Sequence, residues 1–235
     1  MGVDGARGGW VAAAAYERGT RTAFFAAVAT LAEWRRGQPA GAQSPVAIDI
    51  PIGLPTEVGL RACDREAREL LGERRSSVFS PPARFLVEAA DAPPPFPRVQ
   101  ALVAERGGPG LSRQAAGILP KVHEVDGFLR ADPRRADWLF EVHPELCFRE
   151  LSGGATLPPK RSAAGGLARL ELVRDRFPDA PAQAATGEAG RRAALADLLD
   201  AYAALWTALR RREGRARAIG TGEDPVTGVP MRMWV

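Results

Sequence analysis

With 235 residues, 46% of them apolar, the chain is long enough to bury a substantial core in one large domain or two small ones. It has no apolar run of membrane-spanning length and no charged-then-apolar signal at its start, so a soluble, cytoplasmic protein is expected. A net charge of +4 suits an anionic partner without requiring one, and two cysteines, Cys63 and Cys147, are too few for a disulfide framework or a thiolate metal cage.

The chain opens with Met1-Gly2-Val3-Asp4-Gly5, a short apolar strand ending in an acid, followed by a glycine-rich turn through Arg7. Trp10 to Tyr16 and Thr22 to Val28 read as two further strands separated by a turn at Glu17-Arg18-Gly19-Thr20, so the start is an antiparallel meander. Thr30 to Arg36 has the pattern of a capped helix closed by Gly37. A polar loop then leads into Val46-Ala47-Ile48-Asp49-Ile50-Pro51. That run is a fully buried strand that must end at or just after Asp49, because Pro51 cannot donate to a sheet ladder.

The pattern changes between about 56 and 137. Arg61 to Leu71 is an amphipathic helix ended by Gly72, and Arg74 to Pro82 is a polar, basic loop containing Arg75 and Ser77. Turns at Ala92–Pro97 and Arg106–Gly110 precede a helical stretch from Gln114 to Leu129, with a break expected at Pro120. This region reads as a helical and loop insertion within a single domain spanning 1–235.

A fifth strand, Trp138 to Val142, carries Glu141 and is followed by a short helix from Pro144 to Leu151. A loop holding Lys160 leads to a helix from about Gly166 to Arg176, then a connection over Pro178 to Gly190. A long helix from Arg191 to Arg212 places Leu195, Leu198, Leu199, Tyr202, Trp206 and Leu209 on one stripe. Asp197 and Asp200 lie together off that stripe among Ala201, Ala203, Ala204, Thr207 and Ala208. An alanine-rich second face implies that this side also packs, which puts both acids near an interior edge. Val229 to Val235 reads as a last strand.

Three apolar strands ending in acids, plus an i, i+3 acid pair on an alanine face, point to one acidic cluster. Carboxylates gathered without histidine or cysteine suit a hard divalent cation, Mg²⁺ or Mn²⁺. Without metal their like charges repel and raise some pKa values. Two such ions about 3.5–4 Å apart support in-line phosphoryl displacement. Lys121 and Lys160 are the only lysines among 32 basic residues and are expected to border the cluster.

The strings GVDGARGGW, AIDIPIGLP, CDREARELLG, SVFSPP, ILPKVHEVD, EVHPELCF and DLLDA resemble the DUF429 family, described as predicted nucleases with an RNase H-like fold. The resemblance implies an RNase H-like α/β sheet: three antiparallel strands, then parallel ones, flanked by helices. It implies metal-binding, catalytic acids at Asp4, Asp49 and either Asp197 or Asp200, with Glu141 as a further member. The expected function is two-metal hydrolysis of DNA or RNA phosphodiester bonds, with Arg7, Arg75, Ser77, Lys121 and Lys160 on the substrate side. His143, beside Glu141, is expected to orient a carboxylate or handle a proton. His123, Glu124 and Asp126 are lesser candidates. The alternatives are a nucleotide or phosphate hydrolase on the same core, disfavoured by a first turn without Ser or Thr, and a non-catalytic nucleic-acid-binding module.

Overall fold

A computed structural model describes residues 1–38, 44–89 and 94–235. Parts of two expected loops, before the Asp49 strand and at Ala92–Pro97, lie outside the described residues. The strands are β1 (Gly2–Ala6), β2 (Gly9–Tyr16), β3 (Gly19–Phe25), β4 (Val46–Ile48), β5 (Leu139–Glu141), β6 (Ala218–Ile219) and β7 (Met233–Trp234). The helices are α1 (Val28–Arg36), α2 (Ala62–Leu71), α3 (Arg84–Glu88), α4 (Phe96–Glu105), α5 (Arg113–Gly117) and α6 (Leu119–Ala131). After them come α7 (Pro144–Leu151), α8 (Ala163–Arg176), α9 (Ala180–Ala185), α10 (Gly187–Arg192) and α11 (Leu195–Arg212). Among the described residues no helix is long and apolar enough to cross a membrane.

The chain divides into two compact units, one of residues 1–49, 137–217 and 234–235, the other of 50–136 and 218–233. In the first, the sheet order is β3-β2-β1-β4-β5. β1 pairs antiparallel with β2, and β2 with β3, while β4 and β5 run parallel to β1. The class is mixed α/β, three antiparallel strands followed by two parallel ones. The first connection is tighter than the glycine-rich sequence implies: Ala6 pairs with Gly9, leaving a two-residue hairpin of Arg7 and Gly8.

The long helix α11 packs against β1, β2, β4 and α7. Gly2 explains how closely. A Cβ there would lie 2.0 Å from the Leu205 nitrogen and 2.1 Å from the Ala201 oxygen, so only glycine lets strand and helix backbones meet. The alanine face supplies the other half of this contact, with Ala201, Ala203, Ala204, Thr207 and Ala208 all buried. The expected leucine stripe is only partly correct: Leu195 is 50% exposed, because it is the first residue of the helix and precedes the packed turns.

Other boundaries shift for local reasons. The helix expected to be capped at Thr30 starts at Val28 instead, with Ala27 as an N-cap that has no side-chain hydrogen bond. The helical stretch expected to break at Pro120 does break beside it: α5 ends at Gly117 and α6 starts at Leu119, with Pro120 in the first turn of α6 where its missing N–H is not needed. The connection expected over 178–190 contains α9 and most of α10.

The second unit takes in most of the stretch expected as an insertion, together with 218–233 from the far end of the chain. Buried ion pairs run through it. Arg61 binds Asp64 at 2.8 Å and also donates to the carbonyls of Ile52 (2.9 Å) and Gly53 (3.1 Å). Arg84 joins Asp126, at 2.7 Å, to Asp224. Asp224 accepts in addition from the backbone N–H groups of Leu54 (2.8 Å), Val226 (3.0 Å) and Thr227 (3.2 Å).

Candidate metal centre

The parallel register sets the site. Val3 pairs with Ile48, and Ile48 with Glu141, so Asp4 and Asp49 follow directly at the same ends of neighbouring strands. Side chains alternate across a strand. Gly2, whose missing Cβ faces α11, therefore shares its face with Asp4, and Ala47 shares that face with Asp49. Asp200 comes to the same place from α11, buried at 2% exposure. One oxygen from each of Asp4, Asp49 and Asp200 lies within 4.8 Å of the others.

The two late-helix acids are separated by where the helix begins. α11 starts at Leu195, not Arg191. Asp197 then falls in the first turn, where its Oδ2 accepts from the Ala194 N–H at 3.3 Å. Asp200 falls one turn deeper, on the packed face. Glu141 is buried but stands outside the set of three. Its register partner is Ile48, so the pleat turns it to the face opposite Asp49, and its charge helps to raise Asp49.

Electrostatically the cluster is under strain. Burial, then the charges of Asp49 and Asp200, push Asp4 well above the usual carboxylate range. Asp49 is raised to about 8 by burial and by Asp200, with Lys160 opposing and an Asp4 hydrogen bond also opposing. Asp200 is raised to about 6 by burial, against the pull of Lys160.

Hydrogen bonds fix parts of each acid and leave others exposed to the cluster. The Gly5 N–H donates to Asp4 Oδ1 at 2.7 Å. Lys160 Nζ donates to Asp200 Oδ2, while Asp200 Oδ1 is buried with no hydrogen-bond partner. A buried carboxylate oxygen without a donor is costly unless a cation completes it. The donor set, all carboxylate oxygen, fits a hard divalent ion.

The remaining expected residues divide by unit. Arg7 is exposed at the β1–β2 hairpin tip. His143 is the N-cap residue of α7, its carbonyl accepting from Leu146 and Cys147. Arg75, Ser77 and Lys121 belong to the second unit, as do His123, Glu124 and Asp126. Ser77 Oγ donates to the Arg74 carbonyl at 2.9 Å, and His123 Nδ1 lies 3.1 Å from the Val87 carbonyl. Asp126 is the ion-pair partner of Arg84. Cys63 and Cys147 are buried and outside any disulfide, and burial pushes the Cys147 thiol up to about 12. Sequence reasoning missed Arg169 and Glu145, a buried pair bonded at 2.8 Å beneath the Lys160 loop.

No curated protein and no solved structure matches the chain. The sequence model of a family described as protein of unknown function (DUF429) matches residues 2–224, nearly the whole chain. The chain belongs to the DUF429 family.

Proposed function

We propose that this chain is a metal-dependent nuclease with an RNase H-like fold, hydrolysing phosphodiester bonds of DNA or RNA with Mg²⁺ or Mn²⁺ at Asp4, Asp49 and Asp200. The observation that carries the reading is the set of three carboxylates brought to one strand edge from β1, the end of β4 and α11, with one buried oxygen of Asp200 left without a donor. The same three positions, first strand, fourth strand and late helix, are those that the RNase H-like resemblance implies. The sheet order of three antiparallel and two parallel strands is compatible with it.

A bound divalent ion would supply an activated water and charge neutralisation at the scissile phosphate. The protein's own groups do the rest. Asp4, Asp49 and Asp200 hold the cation, and the Gly5 N–H fixes one oxygen of Asp4. Lys160 fixes Asp200 from the side and adds a positive charge that favours an approaching phosphate. Arg7, exposed at the hairpin tip, would meet the nucleic-acid backbone.

The test is purified protein assayed on single-stranded, duplex, hybrid and branched substrates with Mg²⁺, Mn²⁺ or EDTA. Cleavage should require metal and be lost in Asp4→Asn and Asp49→Asn, while nucleic-acid binding persists in both. Cleavage unchanged in both variants would remove the activity from this site. Binding without cleavage on any substrate or metal would favour the binding-module reading.

A further inference from the structure

We propose that Lys160 occupies the place of a second cation, so that the carboxylate cluster takes one divalent ion rather than two. The inference rests on the metal-dependent reading above and adds its stoichiometry.

Lysines that reach an acid from a surface loop ordinarily do so loosely, keeping the ammonium in water. The Lys160 loop is built differently. Ser162 Oγ donates to the Pro159 carbonyl at 2.8 Å and accepts from the Gly165 N–H at 3.0 Å. Arg169, 1% exposed, donates to the carbonyls of Pro158 (3.0 Å) and Gly165 (2.9 Å), and its second terminal nitrogen binds both oxygens of Glu145 at 2.8 Å. Gly165 permits this closeness, since a Cβ there would lie 2.0 Å from the Pro159 oxygen. A buried arginine, a helix cap and a backbone-to-backbone contact thus fix the residues on both sides of Lys160. Its ammonium bonds Asp200 and acts on Asp4 and Asp49 as well.

Asp200 carries the second observation. A carboxylate that bridges two ions offers an oxygen to each. Here Oδ2 is taken by Lys160, and only Oδ1, buried and without a partner, is left for a metal. The spacing agrees. Ligand oxygens within 4.8 Å of one another need little movement to surround one octahedral ion, whose opposite ligands lie about 4.2 Å apart.

The experiment is calorimetric titration of Mn²⁺ into the full chain at pH 8, with electron paramagnetic resonance on the same samples. Wild type and Lys160→Arg should each bind one Mn²⁺ per chain, and Lys160→Met two, with exchange-coupled Mn²⁺ signals in that variant alone. Two ions on wild type, or fewer than two on folded Lys160→Met, would overturn the inference while leaving a metal site in place. No Mn²⁺ on wild type would overturn it too, and none on either protein would overturn the metal-dependent reading with it. Should Lys160→Met not fold, the wild-type count decides: one ion supports the inference and two contradict it.

Discussion

Two groups of buried acids in this protein have opposite chemistry. In the second unit, Asp224 meets Arg84 and three backbone N–H groups, and these hold its carboxyl below the usual range in spite of burial. In the first, Asp4, Asp49 and Asp200 share one lysine; burial pushes all three up, and at Asp4 and Asp49 the charges of the neighbouring acids push the same way. The first arrangement is complete and stabilises a fold. The second leaves a buried oxygen of Asp200 without a donor, and a cation would complete it. Acids that serve structure are satisfied by the chain itself; acids left short of donors indicate a ligand.

That contrast can be broken by mutation, and the largest effect is expected in the satisfied network. Arg84→Met leaves Asp224 buried without its cation, and Asp126 with only Arg130 at 4.0 Å, and should destabilise the protein by about 3–5 kcal/mol in denaturant unfolding. Removing an acid from the other cluster should act in the opposite direction. Asp49→Asn should leave the metal-free protein as stable as wild type or more so at pH 8, because it removes repulsion.

The pH dependence sharpens the same point. Asp49 has a folded-state value of about 8 against an ordinary 3.8, so between those limits the folded state holds more protons than the unfolded one. Metal-free stability should therefore be greatest near pH 4 and fall as pH rises to about 8, by at most about 1.4 kcal/mol per pH unit for each proton. Asp49→Asn should flatten this slope in thermal or denaturant melts. Bound Mn²⁺ favours the ionised acids, so its affinity should rise with pH over the same window and binding should release protons.

The smallest effect is expected at Asp197. Its role at the start of α11 predicts a loss of about 0.3–1 kcal/mol in Asp197→Ala, with Mn²⁺ binding unchanged. Asp200→Ala, one turn further on, should abolish that binding. The pair separates a helix-end acid from a ligand.

Sequence alone made much of this site legible, and its omissions have physical causes. Asp4 and Asp49 could be found because a short buried strand stopped by glycine or proline fixes where the carboxylate falls. The alanine face of α11 was legible because small residues at helical spacing mark close packing. Asp197 and Asp200 could not be separated, since both lie off the leucine stripe and only the true helix start, four residues later than expected, distinguishes them. Glu141 shows the limit of strand-end reasoning: position along a strand says nothing of face, which depends on register with β4. Arg169 and Glu145 are 24 residues apart on two amphipathic helices, and nothing local marks them as partners. Lys160 stood out only through the rarity of lysine in the chain, a signal that also raised Lys121, which belongs to the other unit.

The most direct measurement is a crystal structure of the protein soaked in Mn²⁺ and phased on the manganese anomalous signal. The account predicts one anomalous peak among Asp4, Asp49 and Asp200, ligated by Asp200 Oδ1, with Lys160 still on Oδ2. Saturating Mn²⁺ with no peak between those carboxylates, or a peak held elsewhere without them, would contradict it.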